Sequence, residues 1–184
     1  NSGTTVRLLT GLLAGKKINA RLIGDESLSK RPMERIVTPL SKMGLNIKSN
    51  NGKLPMLIKD SRIKGIDYKN TISSAQVKSA VLFCGLGTKD TTSYYEPVKS
   101  RNHTEIMLKN AGVEIEHNNG KIILKNSNSM IKGLDMTIPG DPSTASFFAA
   151  AALILPKSEL ILKNILANPT RFGFFDAINR MGAN

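Results

Sequence analysis

Cysteine occurs once in the 184 residues, at Cys84, and tryptophan not at all. A lone thiol excludes an internal disulfide framework. Cys84 lies in the apolar run Val77–Leu86, where a buried structural thiol is expected rather than a nucleophile or ligand, and such usage fits a reducing compartment. Aromatics are sparse, six Phe and three Tyr. Few rings are therefore on hand to stack bases, and neither an RNP-like aromatic pattern nor zinc-knuckle spacing is present. The two histidines, His103 and His117, read as a first-turn polar residue and a hairpin-edge residue. Neither has partners at metal-ligand spacing, so no metal site is expected. Long hydrophobic runs are missing too: the longest, Phe147–Leu155, is too short to span a bilayer, and nothing resembles a signal peptide. The expectation is a cytoplasmic protein without a membrane role.

Acidic residues are the last shortage, 14 against 26 basic, a net charge of +12. That balance favours an anionic partner, with nucleic acid the first to consider. The basic residues, however, are mostly single lysines scattered through turns and strands, with no Lys/Arg run. A small phosphorylated ligand accounts at least as well for the arginines near helix starts. Length and an apolar content of 40% suit one or two globular domains.

What is present is a repeat. Asn51-Gly-Lys53 recurs as Asn119-Gly-Lys121 at an offset of 68, and Met43-Gly44, Ala111-Gly112 and Met181-Gly182 close three segments at offsets of 68 and 70. Small-polar clusters at Thr4-Thr5, Ser73-Ser74 and Ser143-Thr144 each introduce an apolar run. About two and a half copies of one supersecondary unit follow, each reading helix, strand, helix, strand pair. In copy one the pattern predicts a helix from Thr4 burying Val6, Leu8, Leu9, Leu12 and Leu13, and a strand Arg21–Ile23. It then predicts a helix from Pro32 to Gly44 and a hairpin joining Leu45–Lys48 to Leu54–Ile58 across Asn51-Gly52. Copy two predicts Val77–Leu86, Thr91–Tyr95, Asn102–Ala111 and a hairpin from Val113–Glu116 to Lys121–Lys125. Copy three predicts helix Ser143–Leu155, strand Glu159–Leu162 and helix Arg171–Met181. Ile138-Pro-Gly140, followed by the cap Asp141-Pro-Ser-Thr144, marks a hinge between domains.

Several helix starts could hold anions. In Asn1-Ser-Gly-Thr-Thr-Val-Arg7 a plain N-cap and an anion site are compatible, because Gly3 leaves backbone N–H groups uncovered. In Ser73-Ser-Ala-Gln76 the hydroxyls cap, while Gln76 is long enough to project past the helix end. Arg31 precedes Pro32, which biases it to extended backbone. Arg101 holds the equivalent place in copy two.

Asn-Ser-Gly-Thr-Thr-x-Arg, Gly-Asp-x-Ser-Leu-x-x-Arg-Pro-Met, Ser-Ala-Gln-Val-Lys-Ser-Ala, Ser-Arg-Asn-His-Thr-Glu and Gly-Asp-Pro-Ser-Thr-Ala-Ser-Phe-Phe follow in this order. With them the whole chain resembles the 5-enolpyruvylshikimate-3-phosphate synthase family. The resemblance implies an α/β (α+β) fold of repeated βαβαββ units, the enolpyruvyl transferase inside-out barrel type, here incomplete. Residues 1–139 would be two of three repeats of one domain and 140–184 the start of a second, an internal piece of a longer parent chain. It implies closure around shikimate 3-phosphate and phosphoenolpyruvate, with no metal or organic cofactor, and glyphosate as inhibitor.

By the same resemblance Ser74, Gln76 and Arg101 hold shikimate 3-phosphate. Asn1, Gly3, Thr4, Arg31 and Gln76 would line the phosphoenolpyruvate side. No catalytic residue is expected within this chain, because the family's Asp, Glu and late anion ligands are not matched in it. The expected partners are phosphorylated small molecules and the remainder of the parent chain, not nucleic acid or membrane. Three other readings stay open: the related UDP-N-acetylglucosamine enolpyruvyl transferase, which usually carries a reactive loop cysteine; an RNA-binding, terminal-phosphate-cyclase-like βαβαββ protein; and a non-catalytic fragment or folding unit with no activity of its own.

Overall fold

A computed structural model describes residues 1–125 and 131–183. They form two compact units, Asn1–Gly133 and Leu134–Asn184.

In the first unit, copy one contributes α1 (Gly3–Gly15), β1 (Ala20–Leu22), the one-turn helix α2 (Glu26–Ser29), α3 (Glu34–Lys42), β2 (Asn46–Asn50) and β3 (Lys53–Lys59). Copy two contributes β4 (Asp67–Lys69), α4 (Ala75–Gly85), β5 (Thr92–Tyr95), α5 (His103–Asn110), β6 (Ile115–Asn118) and β7 (Lys121–Leu124). β1, β3 and β2 make an antiparallel sheet in that order, and β4, β5, β7 and β6 make a second, in which only the β4–β5 pairing is parallel. Copy two is thus a complete βαβαββ unit. No closed barrel forms among the described residues.

Strand alternation sorts the side chains. Leu54, Met56 and Ile58 of β3 and Ile122 and Leu124 of β7 point inward, onto Met33, Ile36 and Leu40 on one side and Val81, Tyr94 and Leu108 on the other. Both hairpins turn on Asn-Gly with positive φ at both residues, 48° and 70° at Asn51-Gly52 and 46° and 77° at Asn119-Gly120, as a two-residue type I′ turn requires.

The α1–α4 contact departs from expectation. The face of α1 that meets α4 is small and polar, with Gly3, Val6, Arg7, Thr10, Gly11 and Ala14 buried, whereas Leu9 and Leu12 are exposed. The reason is steric. A Cβ on Gly11 would lie 2.1 Å from the Ala80 carbonyl oxygen, so only glycine permits the approach, and the leucines take the outer face.

Two further differences concern boundaries. α3 begins at Glu34 with Met33 at the N-cap, not at Pro32. The Met33 N–H donates to Gly52 O at 2.7 Å and its side chain is fully buried, which holds the chain outside the helix for two residues more. Strand β4 is the first strand of the βαβαββ unit that the resemblance implies, although the residue pattern alone does not mark it; three residues beside a parallel neighbour carry too little pattern to announce themselves.

In the second unit, α6 (Pro142–Ile154) and α7 (Gly173–Arg180) occupy the expected places, and Asp141 caps α6 by accepting from Ser143 N. Residues 159–162 are not a strand. The pairing of copy three is instead a parallel bridge between Gly140 and Ile165, the counterpart of β4 beside β5. Position along the chain relative to its partner, not local β-propensity, decides which residues pair. Phe147, Phe148 and Ile154 of α6 are exposed.

Candidate anion-binding site

The packing of α1 on α4 brings two helix N-termini together. Ser2 caps α1 by accepting from Thr5 N at 3.2 Å, and Ser74 caps α4 by accepting from Val77 N at 3.4 Å. Between the caps lies Gln76. Its Oε1 accepts from Arg7 Nη1 at 2.7 Å and its amide donates to Thr4 Oγ1 at 2.8 Å, which fixes the amide orientation. Arg7 Nη2 donates to Pro32 O at 2.9 Å, tying α1 to the segment that carries Arg31.

Arg7 is the residue that sequence reasoning passed over, although it closes the first quoted motif. Its signal was an arginine on the otherwise small inner stripe of α1. Arg7 is 6% exposed, and its Nε has no hydrogen-bond partner among the described residues. Burial first, then repulsion from Arg35 and Arg31, pushes the guanidinium below its ordinary pKa. The mutual repulsion of these three guanidinium groups is relieved by an incoming anion.

Arg31 stands beside this cluster. A Cβ on Gly3 would meet Arg31 Nη1 at 3.0 Å and Arg7 Nη1 at 3.4 Å, so the absent side chain of Gly3 is what lets both guanidinium groups approach the α1 N-terminus. On the other flank Thr4, Leu8, Gln76, Ser79, Arg101 and Thr104 line a cavity of about 120 Å³. Gly3, Thr4, Arg31, Gln76 and Arg101 therefore form one strip, with Gln76 at its middle.

Asn1 and Ser74 are placed differently. The Asn1 carboxamide accepts from Asp25 N at 2.8 Å, fixing the turn before Arg31. The Ser74 hydroxyl is engaged as the α4 cap, beside the strip rather than in the cavity wall. Cys84 is buried, its thiol pushed up to about 12 by burial, which leaves it unable to act as a thiolate nucleophile near neutral pH. Among the described residues no group of His, Cys, Asp or Glu could hold a metal ion, and no helix is long and apolar enough to cross a membrane.

The model of the EPSP synthase (3-phosphoshikimate 1-carboxyvinyltransferase) family matches residues 1–184. The chain belongs to the EPSP synthase family. It is 51% identical over 185 residues to the 3-phosphoshikimate 1-carboxyvinyltransferase of Endomicrobium trichonymphae, covering all of this chain and 43% of that relative. It is 48% identical to that of Thermodesulfovibrio yellowstonii, again over 43% of the relative. Among solved structures, EPSP synthase from Acinetobacter baumannii superposes with a TM-score of 0.86 at 40% identity, over all of this chain and 42% of that one. The chain thus spans less than half the length of these EPSP synthases, and the α/β architecture of the family is the one described above.

Proposed function

We propose that this chain forms the substrate-holding part of an enolpyruvyl transferase that moves the enolpyruvyl group of phosphoenolpyruvate to shikimate 3-phosphate and releases phosphate. The observation that carries the reading is Gln76, held from one side by Thr4 and from the other by Arg7, with Arg31 and Arg101 on its two flanks. Substrates that together bear two phosphates and two carboxylates require dense fixed positive charge. In the reaction a ring hydroxyl of shikimate 3-phosphate gives up its proton and attacks C2 of phosphoenolpyruvate while an acid protonates C3; loss of a proton from C3 then expels phosphate from the tetrahedral intermediate and restores the double bond of the enolpyruvyl ether. The residues of this chain bind and orient, with Ser74, Gln76 and Arg101 facing the shikimate phosphate and Asn1, Gly3, Thr4, Arg31 and Gln76 facing phosphoenolpyruvate. Residues 1–139 act as two of the three repeats of one domain and 140–184 begin the other. The setting is the cytoplasm.

The reading based on UDP-N-acetylglucosamine transfer needs a reactive loop cysteine, and Cys84 is buried within α4. Calorimetry on this chain tests the proposal. Shikimate 3-phosphate binds more tightly than phosphoenolpyruvate, Arg101→Ala weakens the former about tenfold or more, and no phosphate is released from the two substrates together. Tighter binding of phosphoenolpyruvate, or an Arg101→Ala chain of normal affinity, overturns the assignment.

A further inference from the structure

The most deeply buried charges of the molecule lie next to this cavity, not in it. Lys78 of α4 places Nζ 2.9 Å from Glu96 Oε1 and 2.7 Å from Glu105 Oε1, with side-chain exposures of 1% for Lys78 and 3% for both carboxylates. Such a cluster is weak evidence for stability, because desolvating three charges offsets most of their attraction. Its place in the fold suggests another role. Lys78 follows Gln76 by two residues, Glu96 follows β5, and Glu105 sits in the first turn of α5. The three residues therefore tie together the elements that flank Ser100 and Arg101.

Glu96 reaches this segment directly. Its Oε1 accepts from Ser100 N at 3.0 Å and its Oε2 from Ser100 Oγ at 2.6 Å. Ser73 holds the same stretch from the α4 side, its Oγ donating to Val98 O at 2.5 Å and accepting from Val98 N at 2.9 Å. Ser79 and Thr104 share a hydrogen bond of 2.7 Å in the cavity wall. Arg101, itself exposed, is thus anchored through its neighbour.

We propose that Lys78, Glu96 and Glu105 are positioning residues, a buried ionic triad that fixes Ser100 and so holds the Arg101 guanidinium opposite Gln76, ready to meet an anion. An exposed arginine on an untethered loop would lose rotamer and backbone freedom on every binding event; the triad removes that cost beforehand. The ligand part of this inference rests on the functional reading above, whereas the fixing of the segment does not.

The test uses the whole chain with Glu96→Gln, which keeps the shape and an acceptor but removes the charge. Hydrogen exchange at the amides of residues 99–102 is expected to quicken about tenfold while the β2–β3 hairpin is unchanged. Unchanged exchange, or equal quickening of both regions, overturns the positioning role. Affinity for shikimate 3-phosphate falls about tenfold, affinity for shikimate stays put, and Glu96→Gln has no further effect in an Arg101→Ala background. Additive losses in that double variant overturn the route through Arg101.

If the unmodified chain binds neither shikimate 3-phosphate nor inorganic phosphate, the functional reading fails, and exchange alone decides the positioning claim. Should Glu96→Gln not fold, the uncharged triple variant Lys78→Met, Glu96→Gln, Glu105→Gln takes its place with the same readouts. Failure of both to fold shows the triad to be structural and overturns the proposal.

Discussion

Gly11→Ala measures how tightly the site depends on the α1–α4 contact. A Cβ at Gly11 would lie 2.1 Å from the Ala80 carbonyl oxygen and 2.7 Å from Ala80 C and Cα. Comfortable non-bonded separations are about 3.5–4.0 Å, so α1 has to withdraw by more than about 1 Å. The obstructing atoms are helix backbone, which cannot rotate aside as a side chain could. Overpacking of this kind costs about 1–3 kcal/mol, here toward the upper end, while replacing a mid-helix glycine by alanine returns about 1 kcal/mol of helix propensity. The net is about 1–2 kcal/mol of destabilisation, opposite in sign to what an exposed helical glycine gives.

All three tyrosines, Tyr68, Tyr94 and Tyr95, lie in the first unit, so tyrosine fluorescence in urea follows its unfolding. With a slope of about 2 kcal/mol per molar, the midpoint drops by roughly 0.5–1 M. Gly133→Ala in the same unit, where an added Cβ meets nothing within 4 Å, serves as control and loses nothing. Thr4 and Arg7 lie on the same helix, so the variant also lengthens their bonds to Gln76 and weakens anion binding. A Gly11→Ala chain as stable as the parent sequence refutes the close-packing argument.

Alkaline pH weakens the fold through two buried acids. Burial raises the Cys84 thiol from 9.0 to about 12 and holds the Tyr94 phenol well above its ordinary value, with nearby Glu96, Tyr68 and Glu105 adding to the Tyr94 shift. Both are neutral in the folded chain, so the stability they permit is intact below the unfolded pKa and declines as pH rises toward the folded one, by about 1.4 kcal/mol per pH unit for each group. The urea midpoint is expected to fall between about pH 9 and 11, less steeply in Cys84→Ala; a flat profile over that range contradicts it. On α6, Phe147 and Phe148 are 77% and 59% exposed, an apolar surface that favours association. Sedimentation should show concentration-dependent self-association, abolished by Phe147→Lys with Phe148→Lys, and a monodisperse monomer at all concentrations rules it out.

Local chemistry alone settled much of this protein. Asn51-Gly52 and Asn119-Gly120 dictate tight hairpins because few other residues tolerate those backbone angles. Ser2, Ser74 and Asp141 announce helix starts because their oxygens satisfy orphan N–H groups. Asn1, Gly3, Thr4, Arg31, Ser74, Gln76 and Arg101 were assigned as site residues not by local chemistry but by the resemblance of the motifs that contain them to those of the family.

What packs against what was not local, and there the sequence misled. The leucines of α1 promised its inner face, but the close approach of α4 admitted only small residues and sent Leu9 and Leu12 outward. Strand residues 159–162 had the right pattern and lacked a partner, while Gly140 and Ile165 had little pattern and found each other. The burial of Arg7 and Lys78 was decided by tertiary packing, because burial of a charge is determined by partners distant along the chain: Gln76 and Pro32 for Arg7, Glu96 and Glu105 for Lys78.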